Sequence, residues 1–327
     1  MRSVPTLVPL GVAALLLAGC ATASPQPAAT GAASEDAAVT VDNCGTEVTF
    51  DAAPERVVTI KSSTTEMLLA LGVGDRVVAT AYPDGPVPEE WAADAPELPV
   101  LAERVPSQEV VLEQEPDLVY AGWESNFSAD GAGERESLEA LGVHTYVAPS
   151  ACKGEGYRPN PLTFDDVFAE IREVASIFRV PDAAEQIIAD QTGQLEGVET
   201  VDGAPTALWF SSGTDTPFVG AGIGAPQLIL DSLGVTNIAG EIEDSWAPFN
   251  WEAVVDADPD VIVLVDADWN SVEQKIEVLE SNPATANLTA VREQRYLTID
   301  FAATEAGVRT ASAVAELADQ LAALGLD

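Results

Sequence analysis

Glu109-Val110-Val111-Leu112-Glu113-Gln114-Glu115-Pro116-Asp117-Leu118-Val119 is matched, 143 residues later, by Glu252-Ala253-Val254-Val255-Asp256-Ala257-Asp258-Pro259-Asp260-Val261-Ile262. Each copy opens on a glutamate, runs through an apolar-periodic helical turn, breaks at Pro-Asp and enters an apolar strand. The end of a crossover helix reads this way when it delivers the chain into a parallel sheet. The spacing is too long for a solenoid period, so the repeat predicts a duplicated α/β unit with a cleft between the halves. Clefts between lobes take ligands.

The flanking sequence continues the βαβ grammar. Residues 57–60 read as a strand, 62–65 as a polar turn, 66–71 as a helix stopped by Gly72, and 76–80 as the next strand. Residues 118–121 and 143–148 extend the pattern. Between the two copies, Thr163-Phe164-Asp165-Asp166 resembles a capping box and precedes Val167, Phe168, Ile171, Val174, Ala175 and Phe178 at helical spacing. Pro181 interrupts or restarts that helix, and 183–197 read as more helix. The strand-helix alternation resumes at 206–210 and ends in a helix over 311–324.

The first residues indicate where these lobes work. Arg2 is a minimal charged region, the stretch 8–17 is apolar but too short to span a membrane, and Leu17-Ala18-Gly19-Cys20 resembles the bacterial lipobox. On that resemblance residues 1–20 are a lipoprotein signal peptide, Cys20 is the lipidated first residue, and 21–41 form a disordered tether. An ordinary cleaved signal, with Cys20 incidental, is the alternative. With 54 acidic and 14 basic residues the formal charge is −40, which argues against a nucleic-acid partner. The acids are spread as on a solvated surface. Cys44 and Cys152 remain as one pair in an oxidising compartment, expected as a disulfide, with two buried thiols as the alternative.

Two α/β lobes joined by a helical segment behind a lipobox resemble the substrate-binding lipoproteins of ABC importers, in the class that carries iron siderophores, haem or cobalamin. The marks of the resemblance, over residues 41–327, are the two Pro-Asp copies, Lys61-Ser62-Ser63-Thr64-Thr65-Glu66 with Leu68-Leu69-Ala70-Leu71-Gly72, and Leu230-Asp231-Ser232-Leu233-Gly234. It implies an α/β fold of two βα lobes with mostly parallel sheets joined by a long rigid helix, the class III periplasmic-binding-protein architecture. The corresponding division is an N-terminal lobe over 42–161, a linking helical backbone over 162–201 and a C-terminal lobe over 202–327. The resemblance also implies a monomer that docks through Glu109 and Glu252, one per lobe, on arginines of an ABC permease dimer powered by its ATPase. The simpler account of each glutamate is a first-turn charge complementing the helix dipole.

Loops at the carboxyl ends of parallel strands face the crevice. The candidate ligand contacts there are Lys61, Ser62, Ser63, Tyr82, Trp123, Asn126, Phe127, Lys153, Tyr157, Arg158, Ser211, Ser212, Thr214, Trp246, Trp269, Asn270, Phe301 and Arg309. Trp123, Trp246 and Trp269 fall among polar neighbours, which together suggests a pocket for a flat or conjugated organic ligand. Lys61 and Lys153, two of only three lysines in the chain, join Arg158 and Arg309 in implying an anionic group on it. Taken singly, each aromatic fits a core role and each cation a surface ion pair.

Signals for other chemistry are weak. Gly220-Ala221-Gly222-Ile223-Gly224-Ala225 fits a permissive dinucleotide pattern but lacks the acid closing a second strand; its glycines are expected to let backbone N–H groups approach an anionic ligand. Asp256, Asp258 and Asp260 start like a calcium loop, but Val261 and Ala267 stand where glycine and the twelfth ligand belong. His144, the only histidine, sits in a strand pattern, and no Gly-x-Ser-x-Gly elbow occurs. No metal, cofactor or enzymatic activity is therefore expected. Against the binding lipoprotein stands a lipid-anchored cell-wall hydrolase using cleft carboxylates. For cargo, residues 123–133, Ala151-Cys152-Lys153 and Ser212-Gly213-Thr214 look like a subgroup proposed to import a deazaflavin coenzyme precursor, a flat ring with a phosphodiester and a carboxylate.

Overall fold

The computed structural model describes residues 37–325 except 94, 96 and 97. The expected signal peptide, Cys20 and most of the expected tether lie outside the described residues. The described residues form one compact unit.

The first lobe begins with a hairpin, β1 (Val39–Asn43) and β2 (Thr46–Phe50), whose two-residue turn sets both Cys44 (φ 52°) and Gly45 (φ 82°) in the left-handed region. The chain continues through β3 (Val57–Ile60), α1 (Ser62–Ala70), β4 (Val77–Ala81), α2 (Glu89–Ala92), α3 (Gln108–Leu112), β5 (Leu118–Ala121), α4 (Arg135–Glu139) and β6 (His144–Val147). The sheet is parallel in the order β4-β3-β5-β6. The hairpin docks on its β6 edge: Asn43 Nδ2 donates to the Val147 carbonyl and Val147 N–H to Asn43 Oδ1, both at 2.8 Å. Cys44 and Cys152 are joined as a disulfide across 108 residues.

Residues 62–65 are the first turn of α1 and not a separate polar turn. Lys61, at φ 86°, makes the sharp entry, and Thr64 Oγ1 donates back to the Lys61 carbonyl at 2.9 Å.

The linking segment resolves into two helices, α5 (Phe164–Ile177) and α6 (Pro181–Glu196), where the family resemblance implied one long helix. Thr163 and Asp166 form the capping box, with the Thr163 N–H donating to Asp166 Oδ2 at 2.8 Å. The break comes at Arg179, which is left-handed at φ 61°. Pro181 explains it, because its missing N–H and its ring are incompatible with a helix interior but suit a first helical position. The two helices pack on each other. Val167, Ile171 and Val174 of α5 join the core of the first lobe.

The second lobe contains β7 (Thr206–Ser212), β8 (Phe218–Gly220), α7 (Ala225–Leu233), β9 (Thr236–Asn237), β10 (Trp246–Pro248), α8 (Trp251–Ala257), β11 (Val261–Asp266), α9 (Val272–Ser281), α10 (Thr289–Arg292), β12 (Tyr296–Asp300) and α11 (Thr310–Ala323). β9, β7, β11 and β12 are parallel and reproduce the order of the first sheet. An antiparallel pair, β8 and β10, is added beside the far end of β7.

The repeat supports equivalent joints in both lobes. Glu115 (φ 48°) and Asp258 (φ 40°), each just before its proline, both turn left-handed. The Asp117 carboxylate then accepts from the N–H groups of Glu55 and Arg56 at 2.7 and 3.0 Å, fastening β5 beside β3. Asp260 Oδ2 accepts from the N–H and hydroxyl of Thr206 at 2.8 and 2.9 Å, fastening β11 beside β7. The Leu-Gly endings match as well. Gly72 (φ 72°) and Gly234 (φ 74°) close α1 and α7, and the N–H groups of Val73 and Val235 return to the carbonyls of Leu68 and Leu230.

Candidate ligand cleft

Strand ends from both sheets converge on one cavity of about 310 Å³. β4 delivers Tyr82, β5 Trp123 and Glu124, and β6 Ser150 and Lys153; from the other lobe β7 delivers Ser211 and Ser212, β10 Trp246, β11 Trp269, and β12 Phe301 and Glu305. Gly122 makes the approach of Trp123 possible, since a Cβ there would stand 2.9 Å from the Cβ of Lys61.

Five aromatic rings form the box. Phe301 is its hub: it lies near-parallel to Trp246 (5.8 Å, 12°) and edge-on to Trp269 (5.4 Å) and Trp123 (6.1 Å). Tyr82 meets Trp123 edge-on at 5.7 Å. The lobes are tied across this box by the Trp123 Nε1–H donating to Glu305 Oε2 at 3.1 Å and by Lys153 paired with Asp244 at 2.8 Å.

The cations are not gathered as expected. Lys61 is fully buried, its ammonium paired with Asp84 and held 4.2–4.5 Å from the ring centres of Tyr82, Trp123 and Phe301, so it braces the box from behind. Arg309 bonds Asp300 at 2.8 Å and lies 3.6 Å from Glu66, facing a second cavity that shares Phe301 as a wall. Burial pushes the Glu66 carboxyl up to about 7, against the pull of Arg309. Arg158 and Tyr157 line a groove beside the disulfide, where the Tyr157 hydroxyl donates to Asp42 at 2.7 Å. Lys153 is the one cation among the described residues lining the aromatic cavity.

Other candidates also fall outside the lining. Ser62 faces the second cavity and its hydroxyl accepts from the Asp84 N–H at 2.8 Å. Ser63 packs near Gly122. Asn126 is buried and fixes the loop by accepting the Trp123 N–H at 3.1 Å. Phe127 joins a core cluster of the first lobe. The Thr214 carbonyl accepts from the Trp251 indole at 2.8 Å, and the Asn270 carbonyl accepts from Lys275. The loops' own packing and hydrogen bonds hold these residues away from the aromatic cavity, and Asn126 Nδ2 and Asn270 Oδ1 are buried there without a partner. The glycine run 220–225 behaves likewise: the N–H groups of Ala221, Gly222 and Ile223 are taken by the carbonyls of Ser245, Ile242 and Asp244, and a Cβ on Gly222 would stand 2.0 Å from the Gly240 oxygen. Those glycines serve loop packing and leave these three N–H groups unavailable to an anion.

The lining adds residues that sequence reasoning had not chosen, including Glu124, Phe218 and Glu305. Glu305 lies between the expected contacts Phe301 and Arg309, but a carboxylate carries no signal for the anionic ligand that the cations implied. Among the described residues no group of three or more His, Cys, Asp or Glu is arranged to hold a metal ion. Glu109 and Glu252 occupy the same second position of α3 and α8, after the caps Ser107 and Asn250, and both are exposed.

Residues 57–303 match the family described as periplasmic binding protein. The chain belongs to that family. Within it, the chain is 23% identical over 327 residues to the uncharacterized ABC transporter substrate-binding lipoprotein YvrC of Bacillus subtilis, covering 95% of this chain and 94% of that one. It is 25% identical over 224 residues to the vitamin B12-binding protein of Pectobacterium atrosepticum, covering 65% and 72%. Among solved structures, an ABC-type Fe3+-hydroxamate transport system from Saccharomonospora viridis superposes with a TM-score of 0.75 at 28% identity, over 86% of this chain and 98% of that one. A periplasmic binding protein from Veillonella parvula gives 0.74 at 25%, over 87% and 97%. The Bacillus relative is a substrate-binding lipoprotein of an ABC transporter and the Saccharomonospora structure belongs to a transport system, and the fold is the mixed α/β architecture shared with the solved structures. No helix among the described residues is long and apolar enough to cross a membrane.

Proposed function

We propose that this chain is a lipid-anchored, extracytoplasmic substrate-binding protein that captures an organic ligand between its lobes and hands it to an ABC permease dimer. The observation that carries this is the aromatic cavity, built by strand ends from both lobes. Relatives that bind vitamin B12 or belong to Fe3+-hydroxamate transport support a ligand of siderophore, haem or cobalamin type. A deazaflavin precursor is the second reading, favoured by the small cavity and its flat ring faces, with Lys153 at hand for an anionic tail. The transport relatives favour binding over cell-wall hydrolysis.

In this reading Glu109 and Glu252 dock on the permease and Cys20 carries the lipid. Charge reversal at Glu109 or Glu252 abolishes uptake and leaves ligand affinity within about twofold, because both acids stand outside the cleft. Uptake assays and fluorescence titration on the same variants decide it, and loss of ligand binding in both would sink the docking role. In the same strain Cys20→Ser releases the protein from the membrane; retention of that variant would count against the anchor.

A further inference from the structure

Two polar atoms on side chains of the cavity wall have no hydrogen-bond partner, a donor, Trp269 Nε1, and an acceptor on Glu305. Glu305 follows the short 3-10 turn Phe301–Thr304 that carries Phe301 into the box. Its Oε2 accepts the Trp123 indole N–H, but its Oε1 is buried without a hydrogen-bond partner. A buried acceptor left unmet costs about 1–3 kcal/mol, so a persistent one at a binding site points to a donor that arrives with the ligand. The other cavity acid is already engaged, Glu124 Oε2 accepting the Lys153 N–H at 2.6 Å.

Burial pushes the Glu305 carboxyl up to about 7; Asp84 acts in the same direction, while Lys61, the Trp123 N–H and Lys153 pull it down. Its ionised form is therefore within reach at neutral pH. The shape of the cavity narrows the ligand further. About 310 Å³ lies at the bottom of the ~300–1,000 Å³ usual for small-molecule pockets, which suits two or three fused rings better than a tetrapyrrole macrocycle.

We propose that the cavity selects a compact fused-ring heterocycle whose edge donates a hydrogen bond, from an imide or lactam N–H, to Oε1 of Glu305 while its faces lie against Trp246, Trp269 and Phe301. The inference rests on the reading that this cavity holds the transported ligand. Glu305 is then the specificity residue. An analogue alkylated on that nitrogen leaves the buried oxygen unmet and puts a methyl group in its approach, the situation in which a site built to hydrogen-bond discriminates most strongly.

The test uses two probes with the same ring system, 5-deazariboflavin, which carries a ring N–H at position 3, and its 3-methyl derivative. Both are titrated against the mature chain by tryptophan fluorescence. The unaltered protein binds 5-deazariboflavin at least ~100-fold tighter than the methylated probe. Glu305→Gln, which can still accept from Trp123 but turns a donor toward the ligand, and Glu305→Ala both reduce that ratio to below ~10. Equal affinities in the unaltered protein, a ratio that survives both substitutions, or binding of neither probe overturns the proposal. A ferric hydroxamate titrated alongside separates the two levels of inference: its binding where both flavin probes fail removes the role of Glu305 and leaves the transport reading intact. That reading falls if charge reversal at Glu109 and Glu252 leaves uptake unchanged, whatever the probes do.

Discussion

The two lobes share their joints and differ at their edges. Asp117 and Asp260 fasten equivalent strands, and α1 and α7 end on the same left-handed glycine. Beyond that frame the first lobe covers its β6 edge with a disulfide-anchored hairpin, whereas the second adds β8 and β10, which bring Phe218 and Trp246 to the cavity. A duplicated unit thus keeps the contacts that set strand register. It varies the strand ends and edges, where side chains are free to meet a ligand.

The largest expected break in this comparison comes from the disulfide, which has no counterpart among the described residues of the second lobe. Closing a loop of 108 residues stabilises by roughly 4–5 kcal/mol in the chain-entropy model. Replacing Cys44 and Cys152 with serine should lower Tm by roughly 10 °C. A loss of only a degree or two in calorimetry would mean that the hairpin's hydrogen bonds to β6 suffice.

A smaller effect tests the shared joints. Asp117→Ala and Asp260→Ala each strand two donors, so each should cost about 1–3 kcal/mol in urea unfolding. The two losses should agree within about 1 kcal/mol, because each carboxylate accepts two bonds at the start of a parallel strand pair. A severalfold difference would show that the copies are alike in geometry and unlike in energetics.

The smallest effect separates the helices that follow the last strand of each lobe. α11 buries Ala313, Val314, Leu317 and Leu321, but α5 buries Glu170 beneath the Tyr120 hydroxyl, which donates to it at 3.2 Å. Burial raises the Glu170 carboxyl from 4.5 to about 8; Glu173 and Glu305 add to the rise, and the hydrogen bonds from Tyr120 and Ser150 oppose it. The folded state therefore holds this proton more tightly than the unfolded chain, and its stabilising effect is lost as pH rises from about 4.5 to about 8. Glu170→Gln should raise Tm by a few degrees at pH 8 and leave it nearly unchanged at pH 4.5. Equal shifts at both pH values would exclude this titration as the cause.

The fold was legible because its signals are local. Pro-Asp after a helical turn, Leu-Gly at a helix end and a threonine cap each act within a few residues, and each is where the sequence puts it. The bend at Arg179 was half legible, since Pro181 forbids a continuous helix but does not say how its neighbours fold back. Strand ends also pointed to the loops of the cleft. They could not say which loop residues turn inward: Lys61 is withdrawn by Asp84, 23 residues on, and by Phe301 of the other lobe. Asn126, Thr214 and Asn270 are held by neighbours that only the folded loops bring near. Trp123, Trp246, Trp269 and Phe301 line the cavity even though Lys61 and the neighbouring rings cover some of their faces, because a ring offers a second face and an edge.

The bond between Cys44 and Cys152 also has a mechanical meaning. Tension applied through the chain before Val39 reaches Cys44 and passes across the sulfur bridge to Cys152, bypassing the segment 45–151. The whole first sheet, β3 to β6, lies within that covalent loop, and load reaches it only through the hairpin's hydrogen bonds, such as those between Asn43 and Val147. Within this lobe a pull on the segment before Val39 would extend at most the residues up to Cys44, and the backbone that presents Tyr82 and Trp123 keeps its length.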